Sequence, residues 1–332
     1  MNDLTKGKPI AVILQFAIPL LIGSFFQLAY NFADSMIVGH TLGKDAFASV
    51  GSTASLIFLI IGFAQGVTNG LTIISAQRFG AGDLEGLKKS FVHGLFYASL
   101  ISLLLTVSAL AFLKPILVLM QTPVSIIDHS HAFLTAMFGG LTLQFMVNQL
   151  GTDAIAAQAI ALRTDQLAML PMVNLGLAIA TFTAQNYGAK LYDRIREGVR
   201  HSLLLSIAWA IVFAVILILG NRFFSGLFLP NASQTVLDLA LVYYIINGSC
   251  YWIVASLFIL RSFIQGLGKG FIPTLAGFGE LIFRAAVAII GMQYFGFYGT
   301  AAANPAAWIG SIIVLIPSSI IFMKKLKAGQ SI

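Results

Sequence analysis

At 332 residues, 58% of them hydrophobic and only 9% charged, the chain has a mean hydropathy of +0.91, whereas a soluble domain carries about 25% charged residues. The net charge of +7 would suit a nucleic-acid binder, but the Lys and Arg residues lie mostly in short loops and at both ends, where they are a topology signal, so no nucleic-acid partner is expected. Apolar runs of about 18 residues or more recur along the whole length, each enough to cross a bilayer as a helix. The expected fold is an all-α polytopic membrane protein, with the lipid bilayer as its first partner.

Nine spans are expected, at 10–38, 46–76, 92–120, 132–150, 155–187, 202–221, 236–260, 271–293 and 301–323. The first follows Lys6 and Lys8 and is too long for the apolar core of a signal peptide, so it reads as an uncleaved span. Near its end Asp34 stands three residues after Asn31, which stands four after Gln27, roughly on one helix face. A carboxylate with amide neighbours inside a span is a candidate proton or sodium site. The second span ends in SAQRFGA, residues 75–81, and the fifth ends in TAQNYGA, residues 183–189. Upstream, LGKDAFA at 42–48 returns as LGTDAIA at 150–156, again 108 positions on. Each phrase leads into a basic segment, Arg78, Lys88 and Lys89 in one copy and Lys190, Arg194, Arg196 and Arg200 in the other. Both segments favour the cytoplasm, so the repeats are expected to be parallel, a common architecture of secondary transporters.

His129 and His131 in the link after the third span read as a solvated loop rather than a metal site. Gln144 and Asn148 in the fourth span, and Asn174 in the fifth, can bond between helices or to a ligand. Arg163 and Asp165, also in the fifth, are two residues apart and do not face each other. Cys250 lies in an apolar run, has no disulfide partner and reads as a packing residue. GLGKG at 266–270 lacks the spacing of a phosphate loop and reads as a tight turn. Glu280 and Arg284, four apart with the acid first, can form an ion pair on one face of the eighth span. No nucleophile, base and orienting group form a catalytic constellation, so neither an enzyme nor a metal or organic cofactor is expected.

The stretches IPLLIGSFFQLAYNFADSMIVGHTLGKDAFASVG, SAQRFGAGD, NQLGTDAIAAQAIALRTDQLAMLPMVNLGLAIATFTAQNYGA, RSFIQGLGKGFIPT and GELIFR resemble multidrug and toxic compound extrusion (MATE) transporters, nearest the prokaryotic DinF-like and MepA-like branches. The resemblance implies two helical lobes enclosing a cavity in a prokaryotic inner membrane. It also implies export of drugs, organic cations or other xenobiotics in exchange for H⁺ or Na⁺. Asp34, with Asn31 beside it, matches the first-helix carboxylate of the family's N-lobe cation site. Gln144, Asn148, Arg163, Asp165, Asn174, Glu280 and Arg284 are the cavity or substrate candidates.

Against the family's twelve helices the chain offers about nine. Residues 1–123 resemble helices one to three, 124–323 resemble helices seven to twelve, and 324–332 form a basic cytoplasmic tail. The first lobe is thus expected to be incomplete, with export by the chain alone weak or absent. Alternatives are a lipid-linked saccharide flippase of the same superfamily, or a non-transporting remnant or assembly partner that pairs with itself or with a full-length homologue. Three spans between the two basic segments would place those segments on opposite sides, against their shared charge bias. The termini, with Lys6 and Lys8 at one end and Lys324, Lys325 and Lys327 at the other, repeat the conflict.

Overall fold

The computed structural model describes residues 3–41, 70–90, 92–94, 96–97, 100, 152–228 and 233–330. Among these the regular structure is helical: α1 (Pro9–Thr41), α2 (Thr152–Gly188), α3 (Tyr192–Leu219), α4 (Asn221–Phe228), α5 (Gln234–Gly248), α6 (Tyr251–Gly266), α7 (Phe271–Phe295), α8 (Phe297–Ala301) and α9 (Ala303–Lys327). Residues 70–80 and 84–90 are helical as well. Five described stretches are long and apolar enough to cross a membrane: Pro9–Ala29, Ile160–Gly188, Tyr192–Leu219, Phe271–Phe295 and Phe297–Lys327. The α5–α6 pair, bent by 48°, makes a sixth.

Two expected spans need correction. The helix expected at 202–221 begins ten residues earlier, at Tyr192, because hydropathy marks the lipid crossing while Asp193, Arg194, Arg196 and Glu197 extend the same helix into polar surroundings. The span expected at 236–260 is two helices, broken at Ser249 and Cys250 and running on to Gly266. At the break the Cys250 amide donates to the Asn247 carbonyl, while the Asn247 amide reaches across to the Ala301 carbonyl at 3.0 Å. Cys250 therefore stands at a helix start rather than in mid-span.

Helix α2 is the centre of the bundle, packing on α1, α3, α5 and α6. Its fully buried Ala157, Ala161, Ala168, Ala178 and Ala184 let neighbouring backbones come close, which is how helices associate where lipid removes the hydrophobic drive between them. Helices α7 and α9 form the tightest pair, antiparallel, with the Gly279 and Gly310 backbones in contact, and Gly291 further along α7 meets Gly299 of α8. Large side chains such as Leu204, Ile211, Phe278 and Ile313 point outward, as a lipid-facing surface requires.

The repeated phrases meet each other. A methyl on Gly80 would land on the Gln185 carbonyl, and one on Gly188 on the Gln77 carbonyl. Since Gly188 and Gln185 are Gly80 and Gln77 moved on by 108, the contact is reciprocal, like the self-complementary interface of a two-fold dimer. The turns that follow also match. Ala81, Gly82 and Asp83 donate to the carbonyls of Gln77, Phe79 and Arg78 at 3.0 Å each, and Ala189, Lys190 and Leu191 donate to those of Gln185, Tyr187 and Asn186 at 3.0, 3.1 and 2.8 Å.

This crossing gathers the basic segments on one face. Gln77 Nε2 donates to the Gly266 carbonyl at 3.0 Å, beside the turn at Gly268, whose φ of +79° bears out the tight-turn reading of GLGKG. The Leu4 amide donates to Gln185 Oε1 at 2.7 Å, and Arg194 Nη1 to the Gly7 carbonyl at 2.6 Å, so the N-terminus is there too. Helix α9, antiparallel to α7, brings Lys324, Lys325 and Lys327 back to the same face. It is the face for which positive-inside bias led the sequence reading to expect the cytoplasm. Residue 90 stands on this face, and Thr152, at the other end of α2, stands on the opposite one. The spans expected at 92–120 and 132–150 lie almost entirely outside the described residues, as do Gln144, Asn148, His129 and His131.

Candidate functional site

The break between α5 and α6 aims two tyrosines at one carboxylate. Tyr243, near the end of α5, donates its hydroxyl to Asp165 Oδ2 at 2.7 Å, and Tyr251, the first residue of α6, donates to Oδ1. Asp165 on α2 is only 4% exposed, and among the described residues no Lys or Arg stands within ion-pair distance of it. Both carboxylate oxygens are thus satisfied by neutral donors, which holds down the cost of burying the group without neutralising its charge.

From Tyr243 the bonds continue outward. Asn304 Nδ2 on α9 donates to the Tyr243 hydroxyl at 2.8 Å, and Arg284 Nη1 on α7 donates to Asn304 Oδ1 at 2.7 Å. Arg284 Nη2 pairs with Glu280 Oε1 at 3.1 Å, and Arg261 Nη2 on α6 pairs with Glu280 Oε2 at 2.8 Å while also reaching Ser311 Oγ at 3.0 Å. One polar chain therefore joins five helices, and its two carboxylates and two guanidiniums cancel in charge. The expected Glu280–Arg284 pair is present, with Arg261 as a third member.

The other candidates fall elsewhere. Asn174 accepts a hydrogen bond from Ser24 of α1 at 3.1 Å, an interhelical bond outside the network. Arg163 is half-buried on another face of α2 from Asp165. Gln27 is exposed, and Asn31 and Asp34 continue the same helix. Sequence reasoning missed Arg261, Tyr243, Tyr251 and Asn304. Arg261 meets the criterion that selected Glu280, an ionisable group in the apolar run YWIVASLFILRSF. The tyrosines carry no such signal, because only the break brings residues eight apart onto one carboxylate. A separate open cavity of about 470 Å³ lies at the basic face, lined by Arg78, Asp83, Glu85, Lys89 and His93 among others, and takes no part in the network.

The MatE family model matches residues 19–145 and again 131–290, two successive copies that agree with the internal repeat. The probable multidrug resistance protein YpnP of Bacillus subtilis (strain 168) is 26% identical over 152 residues, covering 45% of this chain and 34% of that protein. The probable multidrug resistance protein YoeA of the same organism is 34% identical over 131 residues, covering 40% of this chain and 28% of YoeA. The matched stretch is thus about a third of the length of these relatives. Among solved structures, a MOP superfamily transporter from Pyrococcus furiosus superimposes with a TM-score of 0.81 at 16% identity over 98% of each chain. An outward-facing multidrug resistance MATE family transporter gives 0.80, again at 16% identity over 98% of each chain. The helical bundle has the MATE fold, and with the family model matched twice between residues 19 and 290 the chain belongs to the MatE family.

Proposed function

We propose that the chain is a secondary active antiporter of a prokaryotic inner membrane, exporting organic cations or other toxic small molecules in exchange for H⁺ or Na⁺, and that it exports weakly when acting alone. The observation that carries this reading is Asp165, a carboxylate buried in a span and held only by phenols. A buried acid without a fixed cation is a binding place for a mobile one. The chain from Tyr243 through Asn304 to Arg284 and Glu280 makes its charge state felt on α7 and α9. Alternating access is then the rocking of two lobes, 1–123 and 124–323, about the reciprocal crossing of the repeats, with 324–332 a basic tail. Asp34, with Asn31 and Gln27 on α1, is the second coupling carboxylate. The weakness is expected from the first lobe, which by its resemblance lacks helices four to six and with them any fifth-helix partners for Asp34.

Everted vesicles containing the chain test this with ethidium as the probe. The expected result is slow uptake that requires an imposed H⁺ or Na⁺ gradient and is lost in Asp165→Asn, with that variant still folded by thermal melting. Uptake indifferent to Asp165→Asn removes this carboxylate from coupling. Absence of uptake under either gradient overturns antiport.

A further inference from the structure

The two phenols on Asp165 are not equivalent. Tyr243 has a second partner, Asn304 Nδ2 at 2.8 Å, and through it the Arg284–Glu280 pair. Tyr251 is fully buried, and among the described residues its hydroxyl bonds to Asp165 alone. It is also the first residue of α6, and Cys250 before it makes no side-chain cap bond. One turn earlier, the fully buried Asn247 holds the Tyr243 and Ala301 carbonyls through Nδ2, while its Oδ1 meets no donor among the described residues. The break is thus not bonded to saturation, and the start of α6 is tied to α2 by a single side-chain bond to one carboxylate.

Fifteen residues on, about 23 Å along the axis, the other end of α6 is tied as well. The Gly266 carbonyl accepts Gln77 Nε2 at 3.0 Å, and Gln77 belongs to the first copy of the repeat. Between its ends α6 runs parallel to α2 with the backbones close: a methyl on Gly176 would meet the Phe258 carbonyl at 3.3 Å, and one on Gly266 the Ala180 carbonyl at 2.6 Å. Eleven of the sixteen residues of α6 are buried, so a displacement of its start has little lipid-facing side to be absorbed in and passes along the helix.

We propose that Tyr251 is a positioning residue through which Asp165 acts on α6, and that α6 carries the state of that carboxylate to the crossing of the repeats at Gln77. The functional part rests on the antiport reading above. With its charge present, Asp165 accepts both phenols and holds the start of α6 against α2. When a coupling cation takes the charge, Oδ1 becomes a poorer acceptor, because hydrogen bonds to an ionised group are the strong ones. Tyr251 then loses its one acceptor, and the shift of α6 loosens the bond between Gly266 and Gln77. Tyr243 stays where Asn304 holds it.

Amide hydrogen exchange of the purified full chain in lipid nanodiscs tests this without any transport. Asp165→Asn is expected to quicken exchange about tenfold at two separated places, residues 251–254 and the turn at 266–270, and Tyr251→Phe to do the same. In Gln77→Ala, where the far tie is already cut, Asp165→Asn should still quicken 251–254 but add nothing at 266–270. A response at 266–270 that is the same with and without Gln77, or a response at 251–254 alone, overturns the proposal. So does an even quickening of the whole bundle, which would make Asp165 a general support. Should Asp165→Asn fail to fold, Tyr251→Phe, which keeps the ring and drops only the hydroxyl, reads the same path. If these responses fail while ethidium uptake still depends on Asp165, coupling runs by another route. If uptake fails while exchange follows the expected pattern, the link through α6 stands without antiport.

Discussion

At residue 82 the first copy of the repeat turns the chain with a glycine, and at residue 190 the second makes the same turn with a lysine. Both are left-handed, with φ of +74° and +59°, and both carry the same pattern of backbone bonds. One position on, Asp83 accepts the Gly86 amide at 2.8 Å and starts the next helix, while Leu191 starts α3 with no side-chain cap. The contrast is sharper inside the membrane, where Arg163 and Asp165 have Ser55 and Ile57 at the corresponding positions of the first copy. At these turns the two copies share one backbone geometry, whereas Arg163 and Asp165 have no charged counterpart in the first copy.

The strongest way to break the comparison is at the crossing. Gly80→Val and Gly188→Val each push a side chain into the partner copy's backbone, which no rotamer change relieves. Each should cost about 3 kcal/mol or more, seen as a sharp fall in the Tm in detergent. The reciprocal geometry further predicts that Gly80→Ala and Gly188→Ala have similar effects. A harmless substitution at one site beside a severe one at the other would mean that the two copies do not share the contact equally.

Next in size is Glu280→Gln, which probes the ionic network of the second half. It removes the anion between Arg261 and Arg284 and leaves two partly buried guanidiniums facing a neutral amide. A loss of about 3 kcal/mol is expected from such an uncompensated pair, and thermal melting checks it. An unchanged melting temperature would mean that water or lipid already screens the pair.

Lys190→Gly should go the other way. Helix ends at Gly82, Gly268 and Gly329 use glycine for the left-handed residue, and Lys190 is the non-glycine residue with positive φ among those described. Replacing it relieves a side-chain strain of about 1 kcal/mol, so the melting temperature should rise by about 2 °C. A fall would show that the Lys190 side chain contributes more than its backbone costs.

The helical class, the repeat offset, the shared side of the basic segments and the Glu280–Arg284 pair are legible in residue types and spacing alone, because hydropathy and helical period are local. The network around Asp165 is not. Its donors come from α5, α6 and α9, and they converge only because the chain breaks at Ser249 and Cys250, where the one mark is the run Asn247-Gly248-Ser249, too short to interrupt a span-length hydropathy reading. The early start of α3 was hidden for the opposite reason, since its first turns are charged and a hydropathy reading stops at lipid. The reciprocal contact was visible only as a repeated phrase, because sequence identity between two segments does not say that they touch.

The smallest effect separates the copies by pH. The Gly86 amide first, and then the Arg78 guanidinium at 2.5 Å, hold the Asp83 carboxyl below its ordinary value of 3.8. A carboxylate with a lowered folded pKa contributes its stabilisation fully above the unfolded value and loses it as pH falls through the folded one. Amide exchange in helix 84–90 should therefore quicken on acidification below about pH 3.8, while at the start of α3 the capping residue, Leu191, contributes no such acid-sensitive cap bond, and in an Asp193→Asn background its exchange should not respond in step. In Asp83→Asn the side chain can still accept from Gly86, so the helix start should persist but lose this acid sensitivity. If both helix starts loosen together in the native chain and in Asp83→Asn alike, the acid effect belongs to the bundle as a whole, and the capping difference between the copies has no separate energetic meaning.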